Sequence, residues 1–333
     1  MKALIYEKCG EPIDVIKLRE LPIPKPAPDQ VLLKIKTMTL NPSDLAMIRG
    51  VYKAKQKLPN APGIEGIGEV IAVGSQIKSL QPGMLVIKTP ESTTELVVGT
   101  WQEYICVPES HVVILPAHSD PLQMTQLFST ISSAWIITVN ELNLKPGQTL
   151  LLTAAGSTVG RLILQLSKYR GFSVIAVVRR PEQVAEMKAL GAQEVICSTT
   201  EDVGNKALAY TKLKGVDAAL DCVGGDMSTH CLKALAEQGK MIIFGLLENK
   251  IQVNFDIRKL LFSNITVRGF WLNGWLQNSD YHQRTIVVNK CIDLIEKGII
   301  TADIEKEYKI EDFVEALKHV ERPGNSGRVI ISL

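Results

Sequence analysis

The 333 residues are 46% hydrophobic and 22% charged, with a formal net charge of +2. That composition is globular, and the near-neutral balance, with no Lys/Arg run interleaved with aromatics, argues against a nucleic-acid partner. The length is large for one core and predicts two domains, while no apolar run approaches about 18 residues, so no membrane span is expected.

The first part of the chain reads as β-rich. Met1–Tyr6 and Val31–Thr39 have strand patterns, and the intervening LPIPKPAPDQ, with four prolines, is an extended surface connection. Ile67–Val73, Leu85–Lys88, Thr100–Val107 and Val112–Ile114 continue the pattern, with turns at Gly74-Ser75 and Gln81-Pro82-Gly83. Many short strands with glycine turns predict a partly closed barrel. After Pro121 the period changes to helical through Glu141, and Lys145-Pro146-Gly147 then turns the chain.

Gln148–Thr153 and Ser173–Val178 are short apolar runs of strand length, and between them Val159, Leu162, Ile163, Leu166 and Tyr169 recur at helical spacing before Gly171. This is one βαβ unit of about 30 residues. Its turn stands where a G-x-G-x-x-G dinucleotide loop belongs, but only Gly160 is in register. Ala155 and Ser157 hold the first two places, and with Thr158 and Val159 they are the candidate pyrophosphate residues. Arg179 and Arg180 end the second strand where an NAD site offers Asp or Glu, a substitution that suits a 2′-phosphate and hence NADPH. The same small residues would also serve a plain βα turn, and the arginines would also solvate a strand end before Pro181.

Helix Pro181–Leu190, strand Glu194–Cys197, a helix within Glu201–Thr211, strand Ala218–Cys222, helix Met227–Ala236, strand Lys240–Phe244 and strand Thr266–Phe270 complete the alternation. The prediction is an α/β chain with a doubly wound parallel sheet of six strands. Cys222, Val223, Gly224 and Gly225, and then Gly245, follow the fourth and fifth strands at the carboxyl edge, where the nicotinamide half of a dinucleotide lies. Helices over Tyr281–Lys297 and Ile310–His319 and a strand over Arg328–Ile331 return to the first domain. The expected boundaries are 1–121 with 271–333, and 122–270.

Cys9, Cys106, Cys197, Cys222, Cys231 and Cys291 form no C-x-x-C pair, as free thiols in a reducing compartment would. The first residues show neither a signal-peptide core nor a transit-peptide pattern, and the expectation is a cytoplasmic protein.

The order of elements resembles the medium-chain dehydrogenase/reductase superfamily, which implies a GroES-like barrel domain beside a Rossmann domain. Asn41-Pro42-Ser43-Asp44 with Gly50-Val51-Tyr52, Gly99-Thr100-Trp101, Asp221-Cys222-Val223-Gly224-Gly225 and Arg268-Gly269-Phe270-Trp271-Leu272 resemble the mitochondrial-type 2-enoyl thioester reductases. The first and last pieces are the most specific. NPSD and the small-residue turn are shared with quinone reductases of the zeta-crystallin type. Zinc alcohol dehydrogenases of the superfamily carry Cys and Gly-His-Glu where this chain has Asn41 and Gly63-Ile64-Glu65, and four close cysteines are missing around residues 90–105. His111, His118, His230, His282 and His319 make no ligand pattern, so no metal is expected.

The resemblance assigns Tyr52 the hydrogen-bond donor role toward the substrate carbonyl and puts Trp271 in the pocket wall; Asn41 is a candidate for an amide hydrogen bond there. Tyr52 is also readable as a loop aromatic packing on the barrel's edge, and Trp271 equally as a domain-interface aromatic. The leading expectation is a zinc-independent, NADPH-dependent reductase of a 2-enoyl thioester. The alternatives are an NADPH:quinone oxidoreductase and a non-catalytic NADPH-binding sensor. Strand Thr266–Phe270 should be a sheet edge, and pairing of two such edges would make a homodimer.

Overall fold

The structure is a computed structural model that describes residues 1–51, 57–90, 98–248, 250–322 and 324–333. Two compact units divide the chain: Met1–Ser132, Asn273–Ile295 and Thr301–Leu333 form the first, Ser133–Leu272 and Glu296–Ile300 the second.

In the first unit, β1 (Lys2–Ile5) pairs antiparallel with β2 (Lys17–Glu20). The main sheet is built on β3 (Gln30–Thr39), which pairs with β4 (Gly66–Val73), β6 (Tyr104–Pro108) and, after the chain returns, β15 (Arg328–Ser332). Beyond these lie β5 (Leu85–Lys88) with β7 (Val112–Ile114), and β14 (Ile304–Lys309). Register shifts at Leu32/Leu33 and Ile35/Thr37 bend β3, so its first half serves β6 and its last residues serve β15. That bend curves the sheet around a core of Leu33, Ile35, Met38, Val70, Val86 and Trp101, each large side chain contributing about 1.5–3 kcal/mol by burial.

β14 has no counterpart among the expected strands. Its sequence, IEKEYK, is mostly exposed and lacks apolar alternation; pairing to β15 makes it a strand, as suits a charged sheet edge. The helix Pro42–Ile48 is likewise concealed by the Asn41-Pro42 turn signal. The first unit also runs through Ser132 instead of ending at 121. Thr125 and Thr37 share a hydroxyl hydrogen bond of 2.6 Å, Gln126 Nε2 donates to the Asp303 carbonyl at 3.1 Å, and the Ser129 N–H donates to Glu65 at 2.8 Å. These bonds fasten residues 121–132, including the π-helical Leu127–Ser132, to the first unit.

The second unit is a six-stranded sheet in which every pairing is parallel. Its strands are β8 (Thr149–Leu152), β9 (Ser173–Val178), β10 (Glu194–Cys197), β11 (Val216–Asp221), β12 (Leu235–Ile243) and β13 (Thr266–Gly269). The spatial order β10-β9-β8-β11-β12-β13 reverses direction between β8 and β11. That reversal is the topological switch point where open α/β sheets bind ligands. The runs TLLL and SVIAVV are almost wholly buried, as strands covered by helices on both faces must be. No helix among the described residues is long and apolar enough to cross a membrane.

Candidate active site and cofactor cradle

In the first unit, three of the motifs singled out in the sequence converge. Asn41 follows β3 and precedes the helix Pro42–Ile48, where Asp44 lies one turn in. The Asp44 carboxylate accepts the Asn41 N–H at 2.8 Å on one oxygen and the Ile64 N–H at 3.0 Å on the other, tying the NPSD turn to Gly63-Ile64-Glu65. Gly63 has φ +108° and packs so tightly that a Cβ would lie 2.4 Å from both Thr100 Oγ1 and Trp101 Cδ1. Only glycine fits there, and it seats Gly99-Thr100-Trp101 against the same turn. Trp101 Nε1 donates to the Thr39 carbonyl at 3.1 Å, and Thr100 Oγ1 to the Glu65 carbonyl at 2.8 Å.

Glu65 is the centre of this cluster. Fully buried, it accepts from Thr39 Oγ1 at 3.3 Å, from Asn41 Nδ2 at 3.4 Å, from the Ser129 N–H at 2.8 Å and from Ser129 Oγ. Burial pushes its carboxyl above the usual range, while the Ser129 bonds and the Arg328 charge oppose that rise. Asp44 is pushed up to about 7, chiefly by burial, against the pull of its two backbone donors. Arg328 donates to Thr130 Oγ1 at 3.3 Å, and its guanidinium is pulled down by desolvation against the fields of Glu65 and Asp44.

The structure narrows the amide hydrogen bond expected of Asn41. Its Nδ2 donates to Thr39 Oγ1 at 2.8 Å and to Glu65, while the buried Oδ1 has no hydrogen-bond partner among the described residues. What Asn41 offers beyond the cluster is therefore an acceptor and not a donor, because its amide protons are already engaged by the protein. Tyr52 lies outside the described residues. Trp271, on the second unit, is about half exposed at 51%. A cavity of about 900 Å³ opens elsewhere in the first unit, lined by mixed charges such as Lys306, Glu307 and Glu311, and includes none of the expected site residues.

In the second unit the candidate pyrophosphate residues form the turn between β8 and the helix Thr158–Arg170. Ser157 caps the helix, its Oγ accepting the Gly160 N–H at 3.2 Å. A Cβ on Gly160 would lie 2.4 Å from the Ala155 carbonyl, so the one glycine in register is there for close approach of helix and turn. Thr158 and Val159 open the helix, where N–H groups have no intrahelical partner and the dipole favours an anion. Arg179 and Arg180 follow β9 directly, with Arg179 exposed.

At the switch point a buried carboxylate shapes the next loop. Asp221 accepts from Thr153 Oγ1 at 2.8 Å, the Val223 N–H at 2.9 Å, the Gly224 N–H at 3.3 Å and Ser228 Oγ at 2.5 Å. This sets Cys222, Val223 and Gly224 along the carboxyl edge. Gly245 packs on them, since a Cβ there would lie 2.9 Å from that of Cys222. Burial pushes the Cys222 thiol up to about 12, which leaves it protonated and poorly nucleophilic at neutral pH. Nothing in the sequence singles out Ser129 or Arg328, and Asp44 and Glu65 stand out there only as parts of the NPSD and Gly63-Ile64-Glu65 motifs. A lone acid between glycines and an apolar run was the one local signal for Glu65.

Comparison with known proteins finds two family models along the chain. A model of the alcohol dehydrogenase GroES-like domain matches residues 27–117, and a model named zinc-binding dehydrogenase matches residues 158–287. The mitochondrial enoyl-[acyl-carrier-protein] reductase of Bos taurus is 30% identical over 340 residues, covering 100% of this chain and 89% of the relative. Its Caenorhabditis elegans counterpart is 32% identical, covering 95% and 90%. The chain belongs to the medium-chain dehydrogenase/reductase superfamily. Among solved structures, a Pseudomonas syringae quinone oxidoreductase superimposes with a TM-score of 0.88 at 26% identity, covering 100% of this chain and 99% of that one. The Escherichia coli quinone oxidoreductase complexed with NADPH shares the fold, with a TM-score of 0.90 at 23% identity and full coverage of both chains.

The donor set of this member does not fit the zinc ion that the second model's name implies. Asn41 and Ile64 supply neither thiolate nor imidazole, and among the described residues no group of three or more His, Cys, Asp or Glu could hold a metal ion.

Proposed function

We propose that this protein is a zinc-independent, NADPH-dependent oxidoreductase that delivers hydride to the conjugated C=C of a 2-enoyl thioester. The carrying observation is the similarity to mitochondrial enoyl-[acyl-carrier-protein] reductases at 30–32% identity along 95–100% of the chain. Ala155, Ser157, Thr158, Val159 and Gly160 would hold the pyrophosphate, Arg179 and Arg180 the 2′-phosphate, and Cys222, Val223, Gly224 and Gly245 the nicotinamide half. The cofactor, when bound, supplies the hydride; the protein supplies position, a dry wall and hydrogen bonds.

Reduction of the conjugated bond builds negative charge on the thioester carbonyl oxygen, which needs a donor. The resemblance to 2-enoyl thioester reductases gives that role to Tyr52, while the amide protons of Asn41 are committed within the protein. A phenol with an ordinary pKa of about 10 remains protonated at neutral pH while it donates. Quinone reduction is the second reading, favoured by the solved quinone oxidoreductase at 26% identity. A quinone is also a conjugated acceptor, and both of its oxygens can take protons from solvent.

One experiment separates the two: single-turnover oxidation of bound NADPH by a crotonyl thioester and by a simple quinone, in the parent and in Tyr52→Phe. The substitution should lower thioester turnover about 100-fold, or about 3 kcal/mol, with little effect on the quinone. Thioester turnover within about threefold of the parent would make Tyr52 a packing residue and advance the quinone reading.

A homodimer is part of the proposal. β13 is the terminal strand of its sheet, and the nearby helix Ile257–Phe262 exposes Ile257, Leu261 and Phe262, an apolar face that a second copy would cover.

A further inference from the structure

Arg161 has no part in the reading above, yet it is among the most deeply buried cations of the second unit, 5% exposed. It stands in the first turns of the helix Thr158–Arg170, directly after Gly160. A cation there has the wrong sign for the helix, whose N-terminus carries the positive end of the dipole, and burying it costs free energy unless it is paired. It is paired in two directions. Nε donates to the Gly156 carbonyl at 3.3 Å, and Nη2 donates to Glu186.

Glu186 lies on the next helix, Gln183–Leu190. Three residues earlier on that helix, Gln183 reaches the same glycine: a Cβ on Gly156 would meet Gln183 Nε2 at 2.2 Å. The spacing puts both side chains on one helical face. Arg161 thereby holds the Gly156 carbonyl from the helix that follows the turn, Gln183 packs against the same glycine from the next helix, and the two helices are joined by the Arg161–Glu186 pair. The second helix begins immediately after Arg179-Arg180-Pro181-Glu182, and the Gln183 N–H closes on the Arg180 carbonyl at 3.1 Å.

We propose that Arg161, Glu186 and Gln183 form a clamp that fixes the Gly156 turn relative to the Arg179–Arg180 segment, making Arg161 a positioning residue for recognition of a 2′-phosphorylated dinucleotide. The inference rests on the cofactor reading above. NADPH would engage the turn and the arginine segment together, so holding the two in register spares ordering cost on binding. NADH, lacking the 2′-phosphate, would engage chiefly the turn and gain less. The clamp thus acts on the preference between the cofactors as well as on affinity.

The test is fluorescence titration of the full-length protein with NADPH and with NADH, in the parent, Arg161→Gln, Glu186→Gln and the double variant Arg179→Ala/Arg180→Ala. Arg161→Gln should weaken NADPH about tenfold and NADH no more than about threefold, so that the preference contracts. Glu186→Gln alters a side chain that is 46% exposed. It should move the ratio in the same direction by a smaller factor at an unchanged thermal midpoint, which covers the case in which Arg161→Gln does not fold. Equal losses for both cofactors, or an unchanged ratio, would overturn the clamp. A parent that binds the two cofactors equally would sink the 2′-phosphate assignment itself, a result the arginine double variant, then without selective effect, reports independently of Arg161.

Discussion

Each unit buries a carboxylate at the centre of a hydrogen-bond cluster beside its candidate site, Glu65 in the first and Asp221 in the second, and the two are satisfied in opposite ways. Asp221 gathers the Val223 and Gly224 N–H groups and the Ser228 hydroxyl from within seven residues, with Thr153 from the neighbouring strand. Glu65 gathers Thr39 and Asn41 from 26 and 24 residues upstream and Ser129 from 64 residues downstream, in the field of Arg328. Asp221 shapes a loop; Glu65 ties the end of β3 and the 121–132 segment, far apart in sequence, to the turn before β4. Local satisfaction gives a loop geometry that can be altered with the fold intact. Distributed satisfaction makes the candidate site inseparable from the stability of its unit.

The strongest challenge to that contrast is Glu65→Ala. It removes the acceptor for Ser129, Thr39 and Asn41 and leaves Arg328 without the larger of its opposing fields. Truncating one member of a buried charged network typically costs about 3–5 kcal/mol. Urea unfolding should show a loss of that size, and a loss below about 1 kcal/mol would mean that Glu65 occupies space without joining the segments.

The same contrast explains what could be read in the sequence. The Rossmann strands, their helices and the glycine loop at residues 222–225 are legible because each depends on neighbours in sequence: apolar runs, helical periodicity and paired glycines after a strand. The Glu65 cluster is not, since nothing near Gly63-Ile64-Glu65 indicates that Ser129 will supply two donors or that Arg328 will come from the last strand. β14 was missed for a related reason, being specified by its partner and not by its own IEKEYK pattern. Asn41 is legible from its motif, but that Thr39 and Glu65 take its amide protons is a tertiary fact the motif does not show.

A second way to sharpen the comparison is pH. Burial raises Asp44 from its ordinary value near 3.8 to about 7, and Glu65 is raised in the same direction. Between those values the folded protein retains a proton that the unfolded chain has lost. The stabilisation is thus complete below about pH 4 and is lost as pH rises through about 7. The sign is opposite to that of ordinary paired surface carboxylates such as Glu311 and Asp226, whose values are lowered. Asp44→Asn cancels the titration, so the stability of the parent minus that of the variant should fall by at most about 4 kcal/mol between about pH 4 and pH 8. A flat or rising difference would show that the Asn41 and Ile64 donors outweigh the burial.

The smallest expected effect belongs to Asp221→Asn, and it tests the local half of the comparison. Asparagine keeps one acceptor oxygen, which can still take the Thr153 hydroxyl and the Val223 N–H, the two bonds made to Oδ1. The new NH₂ faces the Gly224 N–H and Ser228 Oγ, the two donors to Oδ2. Ser228 can rotate its hydroxyl and accept, but the Gly224 N–H is left opposite another donor. One buried N–H without an acceptor costs about 1–3 kcal/mol, less than the loss expected at Glu65. The geometric consequence is confined to residues 222–225, so cofactor binding should suffer more than the fold does. NADPH affinity should fall about tenfold, equivalent to about 1.4 kcal/mol, while the unfolding slope in urea stays unchanged. If Asp221→Asn instead destabilises the protein as much as Glu65→Ala, the Asp221 carboxylate holds the second unit together as Glu65 holds the first, and the distinction between a local and a distributed buried acid is lost.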